Sequence, residues 1–234
     1  EDVLDRGAWK LAWLPPSLPY YDTAGAYADP LLKNFTKRLI FSAWAVVPKA
    51  VAVMLSYDAE RRAVQAAGYT DRRYDDRPIT PPLQFRMSGD RPAGMPALAL
   101  LYPGLVLARL GDPLEIARST GAALPLSREA LFDSVRDRVR EALTRLPEGS
   151  PRVGTPDQRW YWAAPFLMDR RIAAGENTPF LSRMRSWDGH DEQDQESRLG
   201  SHLRAADGVK ELSLGPRPDD LADVLTAIAI AGPG

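Results

Sequence analysis

The sequence predicts an α/β protein in which one strand–helix unit near the start leads into a mostly helical insertion or appended subdomain. Three observations carry this reading. Residues 37–43, KRLIFSA, form a short apolar run flanked by charge, the pattern of a buried strand. Pro48 then stands where a first helical turn accepts proline, and Val51, Met54, Leu55 and Ala59 recur at helical spacing behind it. From residue 128 onward, apolar stripes at helical spacing replace any clear alternation of strand and helix.

Taken in order, residues 1–30 contain LAWLPPSLPYYD, where Pro15-Pro16 forbids helix and favours an extended course. Trp13, Tyr20 and Tyr21 either pin this segment to a neighbouring surface or offer an aromatic platform for stacking bases. The helix that begins near Pro48 collects Arg61 and Arg62 toward its end, where cations suit the helix dipole, and Gly68 stops it. A connection dense in proline, glycine, arginine and aspartate fills 69–97. Ala97 to Tyr102 suits a strand, although periodicity alone does not separate strand from helix there.

The clearest helix is 128–146. Ser127 is its N-cap, Leu126 and Leu131 occupy the hydrophobic-staple positions, and Pro147 and Gly149 end it. Leu131, Phe132, Val135, Val139, Ala142, Leu143 and Leu146 trace its apolar stripe, while the mixed charges, mostly opposite, read as a solvated face. Residues 157–174 predict a more buried helix that Pro165 kinks or divides, with Trp160, Tyr161, Trp162 and Phe166 as packing residues. The acidic-then-basic stretch 186–208 reads as a loop or lid with room for a short helix. A last helix opens near Pro218, with Asp219 and Asp220 in its first turn, and runs to about Ile230.

Composition bounds the function. Apolar residues make up 44% and charged residues 26%, ordinary for a globular chain, and 234 residues suffice for a sizeable core. A net charge of -1 supplies no global field toward nucleic acid or anionic lipid, so any such contact has to be local. The absence of cysteine excludes disulfides, thiolate zinc sites and a cysteine nucleophile, and suits a reducing cytoplasm. No apolar run approaches the ~18 residues of a membrane span, and the N-terminus lacks the pattern of a secretory signal. A cytoplasmic location without a membrane partner is therefore expected. The start at Glu1 and the close just after LADVLTAIAIA read as the ends of a piece excised from a longer protein.

The search for chemistry is mostly negative. The chain holds no phosphate loop, no GxGxxG after a strand, no GxSxG elbow and no HExxH. His190 and His202 are the only histidines, and neither begins an HxK pair. Asp188, His190, Asp191 and Glu192 gather carboxylates and imidazole, but their spacing follows no ligand pattern and reads as a polar loop. No catalytic residue, metal ligand or cofactor-binding residue is assigned.

Lys37, Leu39, Ile40, Phe41 and Ser42, with the helix-like segment behind them, resemble the start of the second RecA-like lobe of superfamily-2 helicases, in particular Swi/Snf-like bacterial helicase-related proteins. There a strand of this form, motif IV, precedes a helix that packs on the sheet. The resemblance covers about residues 10–66. It divides the chain into 1–68, linker and lobe start, and 69–234, a largely helical insertion. It implies an ATP-dependent motor acting on nucleic acid, DNA in the first place, and working with other domains of the same chain. ATP and magnesium would be bound only by the complete parent, because the first-lobe motifs and the Q-x-x-G-R-x-x-R motif do not occur here. It also implies that Ser42, Trp44 and Lys49 contact nucleic acid, at a helix start suited to phosphate. Two other classes remain: a protein-interaction or scaffolding module without a nucleic-acid role, and an enzyme built from dispersed carboxylates and arginines.

Overall fold

The computed structural model describes residues 2–13, 20–32, 35, 41–68, 84–148, 155–172, 198–210 and 213–231. The chain divides into two compact units, Glu1–Thr80 and Pro81–Gly234. Helix dominates both, and among the described residues the only sheet is a two-stranded antiparallel hairpin.

The first unit contains α1 (Asp2–Asp5), three short 3-10 turns and the long helix α2 (Val46–Ala66). Ala8, Leu11 and Leu32 form a small core, with Ala26, Tyr27 and Phe35 packed against it. Lys10 reaches Asp29 at 3.7 Å, and Arg62 on α2 reaches Asp5 at 2.7 Å, tying the first residues to the helix. Arg62 and Arg61 both pair with Asp58 at 2.8 Å, and these hydrogen bonds, that of Arg61 first, lower the Asp58 pKa.

The second unit is an assembly of seven helices among the described residues. They are α3 (Met95–Leu101), α4 (Leu105–Leu110), α5 (Pro113–Thr120), α6 (Arg128–Thr144), α7 (Trp160–Ile172), α8 (Arg198–Asp207) and α9 (Leu221–Ala231). The hairpin β1 (Met87–Ser88) and β2 (Arg91–Pro92) precedes them, with Met87 opposite Pro92. Helix α9 packs on α6, α4 and α7, whereas α3 packs on α7 and α8. Met95, Leu98, Tyr102, Phe166, Leu203 and Ala206 make one core cluster, with Phe85, Trp162 and Leu199 at its edge. Each large apolar side chain buried in this way contributes about 1.5–3 kcal/mol.

Helix α6 follows its sequence closely. Ser127 Oγ accepts the Ala130 N–H at 3.2 Å, and Leu131, Val135, Val139, Ala142 and Leu143 are buried along one face. Helix α5 starts in the same manner, with Asp112 accepting from Leu114 N and Glu115 N ahead of Pro113. Gly121, at φ 69°, ends it in the left-handed region that favours glycine.

At two places the structure departs from the sequence reading, and at two more it decides between alternatives the sequence left open. Phe41 and Ser42, expected at the end of a buried strand, belong to no strand, and Phe41 is 89% exposed; residues 36–40 lie outside the described residues. The apolar residues of α2 do not build a core: Met54 and Leu55 are exposed, Val51 is half-buried, and Ala59 alone is buried. At about 100° per residue, Val53, Met54 and Leu55 point to three different sides, so no single partner face can hold them. Residues 97–101 are helical rather than extended, as MPALALL offers a proline at the helix start and no β-branched side chain. Pro165 does not divide α7. It sits in the second turn, and Asp169 and the residues before it back to Ala163 are all buried.

Among the described residues no single helix is long and apolar enough to cross a membrane.

Candidate functional site

Ser42, Trp44 and Lys49 fall together at the start of α2. Ser42 Oγ accepts the Trp44 N–H at 3.1 Å, a local turn that competes with strand and directs the chain into the helix. Val47 N–H donates to Trp44 O at 3.0 Å, so the first turn begins at Trp44. Ala45 is the N-cap and supplies no side-chain acceptor. Trp44 is 74% exposed and Lys49 is exposed as well. The arrangement offers an indole face, an ammonium group and helix N–H groups, while the Ser42 hydroxyl is engaged by backbone. It can stack on a base and meet a phosphate.

Behind this turn α2 presents Val46, Val53, Met54 and Tyr57 to the outside, each more than half exposed. Spaced near one helical face, Val46, Val53 and Tyr57 form a stripe with Met54 beside it. Lys49 is the only charged residue between Phe41 and Tyr57. Contiguous exposed apolar side chains of this kind mark a contact surface rather than a solvated helix.

The second unit holds polar centres of a different sort. Asp169, 2% exposed in the apolar run of α7, accepts from Tyr102 Oη at 2.7 Å, Leu105 N at 3.0 Å and Val106 N at 2.8 Å. It therefore caps α4 from a neighbouring helix, where Gly104 has no side chain to do so. The next residue, Arg170, donates to the carbonyls of Val209 at 2.8 Å and Asp207 at 2.9 Å and closes the end of α8. Arg217 does the same for α6, donating to Leu143 O, Leu146 O and Pro147 O at 2.7–3.0 Å while lying 4.9 Å over the Trp160 ring. Burial pulls the Arg217 guanidinium below its usual pKa, with Glu148 opposing. Three helix ends are thus finished by charged side chains from other elements.

Asp157 and Arg159 form the remaining centre. Asp157 accepts from Arg159 Nη2 at 2.7 Å and from Gly215 N at 2.8 Å, and Arg159 goes on to Ser213 O at 2.6 Å. The hydrogen bond from Arg159 chiefly, aided by the backbone donors Gly215 and Arg159, holds the Asp157 carboxyl down at about 2. Tyr161 donates to Asp220 at 2.5 Å, a bond that raises its pKa.

His202 is fully buried. Its Nε2 accepts the Gly94 N–H at 3.0 Å, so Nδ1 carries the proton that meets Arg198 O at 2.6 Å. Phe85 lies edge-on at 5.3 Å. A side chain on Gly94 would come within 2.5 Å of Gln84 O and 2.9 Å of His202 Nε2, which explains glycine there. Both imidazole nitrogens are occupied structurally, leaving neither for a metal or a substrate.

Sequence reasoning missed Asp169, Arg170 and Arg217. The signal for Asp169 was present: a carboxylate at i+3 from Phe166 shares its buried face and needs donors from elsewhere. Nothing local marks Arg217, because its carbonyl partners lie some seventy positions away. Among the described residues no group of three or more histidine and carboxylate side chains is placed to hold a metal. The 188–192 segment lies outside the described residues. No protein-family model, no curated protein and no solved structure matches this chain.

Proposed function

We propose that this chain is the opening of the second lobe of an ATP-dependent, helicase-like nucleic-acid motor, followed by a helical insertion, and that it is not catalytic by itself. ATP and magnesium belong to the complete motor. Nucleic acid, DNA in the first place, is its partner, other domains of the same chain complete it, and it works in the cytoplasm. One observation carries the reading: α2 follows the motif-IV-like run KRLIFS directly and leaves Val46, Val53, Met54 and Tyr57 uncovered. In a RecA-like lobe a helix in this position is covered by a sheet, and Ser42, Trp44 and Lys49 face the nucleic-acid backbone.

The test is fluorescence anisotropy with labelled single- and double-stranded DNA at low salt. Binding that weakens several-fold on Lys49→Ala and Trp44→Ala, and falls with added salt, is the expected result. Binding unaffected by either substitution removes these residues from the interface. The chain alone is expected to hydrolyse no ATP, and magnesium-dependent turnover that survives further purification overturns the non-catalytic assignment.

A second reading, a protein-interaction or scaffolding module, is favoured by the outer face of α6. Arg136 pairs with Asp133, Arg140 with Asp137, Arg145 with Glu141, and Arg138 with Glu115. A helix that matches its cations to carboxylates in this way offers no basic stripe to a phosphate backbone. Under this reading the apolar stripe of α2 meets protein, and DNA binding is absent at any salt concentration.

A further inference from the structure

We draw no further inference here: the strongest candidate, the uncovered apolar stripe of α2 formed by Val46, Val53, Met54 and Tyr57, carries nothing beyond the reading above because nothing in the structure shows what covers it.

Discussion

Replacing Asp169 with alanine tests the packing account of the second unit at its most concentrated point. The substitution takes the acceptor from Tyr102 Oη, Leu105 N and Val106 N at once. The Tyr102 and Val106 bonds are buried, whereas Leu105 N is partly reached by water. A stranded buried donor costs about 1–3 kcal/mol, so the total comes to about 3–5 kcal/mol once Leu105 is allowed a water. For a unit of this size that lowers the melting temperature by roughly 10 °C. Asp169→Asn keeps one acceptor oxygen and loses about half as much. Tyr102→Phe removes one hydroxyl and costs about 1 kcal/mol. Urea titration followed by tryptophan fluorescence reads the effect, since Trp160 is fully buried in the same unit. Hydrogen exchange at Leu105 and Val106 localises it, with both amides expected to lose protection. An Asp169→Ala protein within about 0.5 kcal/mol of the parent, with the two amides still protected, refutes the cross-helix cap.

Four further outcomes are expected. Arg217→Met, which keeps the apolar stem but strands the Leu143, Leu146 and Pro147 carbonyls, costs about 2–3 kcal/mol in urea titration, and Arg217→Lys recovers less than half. Gly94→Ala forces a methyl to within 2.5–2.7 Å of the Gln84 and Arg86 backbone and lowers stability by more than about 2 kcal/mol, with exchange rising first in the 84–94 hairpin. Asp157 has its folded pKa depressed to about 2 from 3.8, so its contribution is complete above pH 3.8 and is lost as pH falls toward 2. Allowing for water around half-exposed Arg159, the parent loses about 1–2 kcal/mol over that window, while Asp157→Asn starts weaker at neutral pH and shows a flatter profile there. Finally, Val53→Glu on the exposed stripe leaves the unfolding free energy of the chain within about 0.5 kcal/mol, because Val53 is 68% exposed and covers no core.

How much of this was legible in the sequence depends on the distance over which each element is decided. Helix α6 was readable because everything that makes it lies within twenty residues: the Ser127 cap, the apolar stripe and the Pro147 stop. Helix α9 was readable for the same reason, its proline and aspartates standing just ahead of it. Residues 97–101 were ambiguous because a short run that is apolar at every position has no period, whichever of its residues end up buried, and the proline at the helix start favours helix. The extent of α2 was visible, but its burial was not. Spacing alone suggested a core face through Val51, Met54, Leu55 and Ala59, whereas of these only Ala59 is buried, and Val46, Val53 and Tyr57 form an exposed stripe on another side of the helix. Of the residues expected to meet nucleic acid, Ser42 and Trp44 lie in the exposed turn before α2 and Lys49 is exposed in its first turn. The cross-element caps depended on partners from 37 to 74 positions apart, as in Arg170 with Asp207 and Arg217 with Leu143, and no local pattern announces such pairs.

The most direct test of the central claim is to sequence the coding region on both sides of residues 1–234 and assay its natural product for DNA-stimulated ATP hydrolysis. The account predicts a phosphate loop upstream, a Q-x-x-G-R-x-x-R motif downstream, and magnesium-dependent turnover that rises when DNA is added. A natural product with neither motif and no turnover in the presence of DNA contradicts the motor assignment and leaves the exposed stripe of α2 as a protein-binding surface.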